Sequence, residues 1–143
     1  MTPTIVGRIQ SRIFVILTVG LLWTLAITPA FRTGFMPVGD AYYATLSALG
    51  VVLVLGVVVW DPIYHLLQQF RWEKDWPAMF TLLEGIPEGL VVYLVLRDLM
   101  DIDVGVWTFL IHFATTWLIV FAALHGPLRV LFLRWRFRGG RLL

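Results

Sequence analysis

Apolar residues run almost unbroken over four stretches, about 13–30, 41–60, 77–96 and 104–124, and polar residues gather between them. Runs such as Val51-Val52-Leu53-Val54-Leu55 lack the in–out alternation of barrel strands, which span about 10 residues each. A helix rising 1.5 Å per residue crosses a hydrocarbon core of about 30 Å in roughly 20 residues. The pattern therefore predicts an all-α integral membrane protein, a single domain over 1–143 built as a four-transmembrane-helix bundle. The punctuation fits: Asp40 can cap the second helix, Asp61-Pro62 is expected to end it, Pro77 suits the first turn of the third, and Gly126-Pro127 closes the fourth.

Two further segments are amphipathic. Over 62–72, Ile63, Leu66, Leu67 and Phe70 share one face and His65, Gln68, Gln69 and Arg71 the other, which predicts a short helix lying in the membrane interface. From 128 to 143, apolar residues alternate with Arg129, Arg134, Arg136, Arg138 and Arg141. This basic tail suits anionic lipid headgroups or a partner, and Gly139-Gly140 is expected to free its end.

Composition enforces the membrane reading. The chain is 59% hydrophobic and 14% charged, with a mean hydropathy of +0.85. A soluble domain carries about 45–50% apolar and about 25% charged residues. A small soluble fold has too much surface for its volume to bury such an excess, and intrinsic disorder needs the opposite composition. The absence of cysteine removes disulfides, thiolate metal sites and a cysteine nucleophile. The first apolar run, at 18 residues, exceeds the signal-peptide core of about 7–15, so it is read as a retained span.

Charge then sets orientation. Nine of the eleven basic residues, among them Arg8, Arg12, Arg71 and Lys74, fall on one side of the predicted spans, and only Arg32 and Arg97 on the other. The positive-inside rule places the nine, and both termini, in the cytoplasm (N-in/C-in). Trp60, Trp72, Trp76 and Trp135 fall at the same interface, where an indole is most stable. Compactness and arginine bias suggest a bacterial inner (plasma) membrane.

Candidate chemistry is confined to the third span. Glu84 and Glu88 lie four residues apart, on one helical face, inside an apolar segment. A charged acid at the helix centre costs at least about 2.5–3.5 kcal/mol, so the pair must face protein or water. Gly85 and Gly89 would let a neighbouring helix approach closely, and Pro87 would kink the helix and free the carbonyl at Leu83. Counting along the helices puts His112, Thr115 and Thr116 of the fourth span at a similar depth, with Thr24, Ser47 and Gly50 nearby on the first two. Glu84, Glu88, His112, Thr115 and Thr116 are thus expected to form one polar cluster.

Ile86-Pro87-Glu88-Gly89-Leu90 resembles the metal-site stretch of the ZIP-type zinc and iron permeases, where a His-Asn pair leads into proline, glutamate and glycine. Glu84 and Gly85 stand here in the places of His and Asn, and the fourth span has no histidine–glutamate pattern around a proline. The resemblance implies only Glu88 as a metal ligand. Small multidrug exporters are similar in architecture, with four short spans and one embedded glutamate, but theirs lies in the first span, which is uncharged over 13–30 here.

No cofactor is expected. A metal ion on Glu84, Glu88 and His112, or a haem between His65 and His125, would be the exceptions. Asp98, Asp101 and Asp103 read as a solvated loop. No nucleophile or phosphate-binding motif occurs, so no enzymatic activity and no nucleic-acid partner is expected. The leading expectation is a structural or accessory subunit, self-associating or joined to a larger complex through the third span. The alternative is a small proton- or cation-coupled transporter using Glu84 and Glu88 with His112.

Overall fold

The computed structural model is all-helical and describes residues 3–32, 38–133 and 137–142. Four helices are long and apolar enough to cross a membrane: α1 (Ile5–Phe31), α2 (Gly39–Gln69), α3 (Ala78–Leu99) and α4 (Val106–Leu131). No strand occurs among the described residues. The core at their junction is made of Val15, Ile16, Leu49, Val52, Val92, Leu96, Phe109 and Val120.

The helix ends depart from the sequence expectation in instructive ways. α1 begins at Ile5, well before residue 13, because Thr4 caps it: Thr4 Oγ1 accepts the Gly7 N–H at 3.1 Å. Its early turns bury Gly7, Ser11 and Val15 at a spacing of four, which is one helical face. Arg8 and Arg12 therefore ride on α1 rather than preceding it.

Asp61-Pro62 does not end α2. The helix runs on to Gln69, so the expected separate interfacial helix is the last two turns of α2. In a regular α-helix the Pro62 ring would strike the carbonyl of Val58. Here Gly56–Trp60 forms a wider π-helical turn, with the Asp61 N–H donating to the Gly56 carbonyl, and that turn accommodates the proline.

The tail is not freed by its glycines. Gly139 and Gly140 take φ values of 61° and 85°, which glycine adopts without strain. They turn the chain back onto α1, where the Thr4 N–H donates to the Gly139 carbonyl and the Ser11 hydroxyl to the Gly140 carbonyl, each at 2.8 Å. Both ends of the chain thus meet at one end of the bundle. A Cβ on Gly7 would lie 2.0 Å from the Gly139 oxygen, so this contact requires glycine. Arg134 and Arg136, with Trp135, lie outside the described residues. Arg129 and Arg138 are exposed, and Arg141 Nε donates to Thr4 Oγ1 at 3.4 Å.

α3 breaks its regular pattern at Glu84, ahead of Pro87. The carbonyl of Leu82 accepts the Trp117 indole N–H of α4 at 3.1 Å. Gly85 and Gly89 are filled within the chain: a Cβ on Gly85 would meet the Trp117 ring at 2.5 Å, and one on Gly89 the Phe113 ring at 2.7 Å. Phe109, Phe113 and Trp117 stack along α4 with centroids 5.5 and 5.8 Å apart, forming a ridge that fits this glycine groove.

That packing generates a stability test. Alanine at Gly89 must displace the Phe113 ring, held between Phe109 and Trp117, and alanine at Gly85 the Trp117 ring stacked on Phe113; overpacking of this kind costs about 1–3 kcal/mol. Alanine at Gly50, where nothing lies within 4 Å, meets no obstacle. Thermal unfolding in detergent should place both groove variants below Gly50→Ala in midpoint temperature. Equal midpoints would mean that the groove does not determine the α3–α4 spacing.

Candidate functional site

The site is assembled from three helices and centres on Arg12. Its side chain crosses Gly56 of α2 so closely that a Cβ there would lie 2.4 Å from Arg12 Cδ. Beyond Gly56 the guanidinium reaches two acids at once. Nη1 and Nη2 donate to Glu88 Oε2 and Oε1 of α3 at 2.8 and 3.0 Å, while Nε and Nη2 donate to Asp61 Oδ1 of α2 at 3.0 and 2.9 Å. These are charge-assisted, forked contacts of the kind a planar guanidinium makes best. The Asp61 and Glu88 side chains are 3% and 1% exposed.

Arg8, one turn earlier on α1, makes a second layer. Its Nη1 lies 3.5 Å from Glu84 Oε1, its Nη2 donates to Gln68 Oε1 at 3.0 Å, and its guanidinium sits 4.7 Å over the Trp76 ring. Trp76 turns inward, its indole N–H donating to Glu84 Oε1 at 2.6 Å. Gln68 also donates to the Lys74 carbonyl at 2.7 Å, which ties the α2–α3 connection over the site. Three carboxylates and two guanidiniums thus lie in one buried network. Two of its atoms are buried without a hydrogen-bond partner: Asp61 Oδ2 and Arg8 Nε.

The expected single cluster is therefore two. His112 lies apart from the acids, with its Nε2 3.0 Å from Thr24 Oγ1 of α1 and its ring edge-on to Phe31. Thr116 Oγ1 donates to the His112 carbonyl at 2.6 Å, Thr115 accepts the Trp23 indole N–H at 3.0 Å, and Thr28 and Thr45 pair at 2.8 Å. Equal depth along the helices brought Thr24 to His112. Rotation, which depth counting does not fix, turned the acids toward α1 and α2.

Three participants went unread in the sequence. Arg8 and Arg12 counted only as topology signals, and Asp61 only as part of a helix stop. The signals available were the buried Gly7–Ser11–Val15 face beside them and Gly56 five residues before Asp61.

Three separate cavities lie along the bundle beside the two clusters. One of about 120 Å³ borders the acid–arginine network and is lined also by Thr81, Trp117, Val120, Leu124, His125 and Arg129. Another of about 440 Å³ lies at the opposite end of the bundle, against Phe31, Ala41, Thr45, Asp103 and His112. Between them sits a void of about 10 Å³, sharing Ile16, Trp117 and Val120 with the first cavity and Ala48 and His112 with the second.

Glu84, Glu88 and His112 do not converge, and among the described residues no three His, Asp or Glu side chains are grouped to hold a metal. Both Glu88 oxygens are occupied by Arg12. His65 Nε2 lies 3.4 Å from Gln69 Nε2, and His125 Nδ1 lies 3.0 Å from the Phe121 carbonyl oxygen. Asp98, Asp101 and Asp103 are exposed. No protein-family model, curated protein or solved structure matches the chain.

Removing one partner of a buried ion pair strands the other, at about 3–5 kcal/mol. Arg12→Ala strands two acids and should sharply lower the unfolding midpoint in detergent. The triple variant Arg12→Ala, Asp61→Asn, Glu88→Gln removes the stranded charges and should recover part of that loss. A triple variant no more stable than Arg12→Ala would show that charge pairing is not what Arg12 contributes.

Proposed function

We propose that the protein is a small proton-coupled membrane transporter that works through its own four-helix bundle. The observation that carries this reading is the run of voids from the acid–arginine network, past His112, to the opposite end. A single water needs roughly 10–15 Å³, so the central void of about 10 Å³ stops any larger solute in this arrangement. A proton needs only a water or an imidazole to pass it, and His112 lines the void. The charge count adds support: with three acids against two guanidiniums, the network is neutral when it holds one proton.

The accessory-subunit reading drew on acids in want of a partner and on a glycine face open to another chain. Arg8 and Arg12 partner those acids, and Trp117 and Phe113 fill that face. Transport by the single chain accounts for the same residues without a second protein.

Insertion in a bacterial inner membrane with both termini in the cytoplasm belongs to the same proposal. The end of the bundle where the termini meet carries Arg71, Lys74, Arg129, Arg138 and Arg141, well placed for anionic headgroups. Single cysteines introduced at Glu73 and Asp101 of this cysteine-free chain test the orientation. In intact cells an impermeant thiol reagent should label the Asp101→Cys variant and spare the Glu73→Cys variant; the reverse pattern inverts the topology.

Flux is the direct test. The purified protein in liposomes with an entrapped pH dye should admit protons under an imposed potential. Glu88→Gln should slow this by about tenfold or more, equivalent to a barrier increase of roughly 1.4 kcal/mol per tenfold. Wild-type rates equal to those of empty liposomes would end the transport reading.

A further inference from the structure

Two residues that line the cavity beside the network each carry one buried polar atom without a hydrogen-bond partner. Asp61 Oδ2 is an acceptor without a donor, and Arg8 Nε is a donor without an acceptor. Their side chains are 3% and 8% exposed, and both line the same cavity of about 120 Å³. An unmet polar atom in apolar surroundings costs about 1–3 kcal/mol, so a species that both donates and accepts is favoured there. Thr81, Glu84 and His125 are among the other polar residues of the lining, and an internal water requires several such partners.

The room also fits. About 120 Å³ is several times the roughly 10–15 Å³ that one water needs. Pro3, Arg129 and Gly140 are part of the lining, which carries the cavity to the end of the bundle where the chain termini meet. On its inner side the wall becomes Ile16, Trp117 and Val120, an apolar boundary against the narrow central void.

We infer that this cavity is a water-filled vestibule, in which ordered water bridges Asp61 Oδ2 and Arg8 Nε and joins the acid network to the solvent at the terminal end of the bundle. The inference deepens the transport reading by naming the route by which protons reach the acids, and it rests on that reading only for what the water delivers. Every nitrogen of Arg12 and both oxygens of Glu88 already have a hydrogen-bond partner, whereas Asp61 Oδ2 and Arg8 Nε have none.

The lack of native cysteine makes accessibility measurable on the full chain in lipid vesicles. Thr81→Cys and Leu124→Cys place a thiol on the cavity wall. Leu90→Cys and Leu118→Cys place one on outward faces of the same helices, where the native side chains are 62% and 53% exposed. The probe is a small hydrophilic methanethiosulfonate. The wall positions should react more than about tenfold faster than the outward ones, because the reactive thiolate is favoured in water and disfavoured in apolar surroundings. Equally slow reaction at all four positions overturns the vestibule.

A second measurement needs no substitution. In solid-state magnetic resonance of arginine-labelled wild type in bilayers, magnetisation from water should reach Arg8 Nε as rapidly as exposed Arg129. Transfer to Arg8 as slow as to the dry core would also overturn it. Fast wall labelling without proton flux removes the transport reading and keeps the vestibule; flux with a dry wall does the opposite.

Discussion

Everything at the terminal end of the bundle depends on one guanidinium with two masters. Arg12 of α1 holds Asp61 of α2 and Glu88 of α3 at 2.8–3.0 Å. For that to happen Gly56 must lack a side chain, and α2 must continue past Pro62 so that Asp61 stays on the helix face. The π-helical turn Gly56–Trp60 supplies both conditions at once, since it carries the glycine and relieves the proline. A buried pair of this sort is weak evidence for stability against an apolar equivalent, but it is costly to break. The contacts of Arg12 run to both other helices at once, so they constrain the relative placement of all three.

The opposite end is held differently. There the contacts are hydrogen bonds outside any ion pair, Thr24 to His112 and Thr28 to Thr45, and His112 and Thr45 border the larger cavity, about 440 Å³ against about 120 Å³. Hydrogen bonds between helices in a membrane contribute about 0.6 kcal/mol on average. The bundle is therefore clamped at one end and loosely joined at the other, while the glycine groove and aromatic ridge of α3 and α4 keep those two helices at a fixed spacing along their length.

The four helices were legible because continuous apolarity over about 20 residues has few physical solutions. Their ends were not, because hydropathy treats every charge as a boundary. Arg8 and Arg12 were counted outside a span for that reason, and Asp61 was read as a stop. Residue counting put Thr24, Ser47 and Gly50 at a level comparable with the fourth-span polar residues, and of these Thr24 meets His112. The separation of His112 from Glu88 was not legible, since counting along a helix fixes height and leaves rotation free. Gly85 and Gly89 marked a close approach, as small residues at a spacing of four do. What approached them was set by which aromatic residues α4 happened to carry at matching height.

The surplus acid gives the clamp a property that a simple ion pair lacks. An isolated Arg–Glu pair that takes up a proton leaves a buried guanidinium unpaired, which costs several kcal/mol and tends to open the structure. Arg12 has two acids, and Arg8 has Glu84 beside it. If Asp61 or Glu88 is neutral, Arg12 keeps the other acid and Arg8 keeps Glu84, so each guanidinium still has a charged neighbour. The network can therefore pass between charge states of −1 and 0 without stranding a cation. Two acids would suffice to pair two guanidiniums; the third gives Arg12 a second partner, so that the loss of one charge does not leave it unpaired.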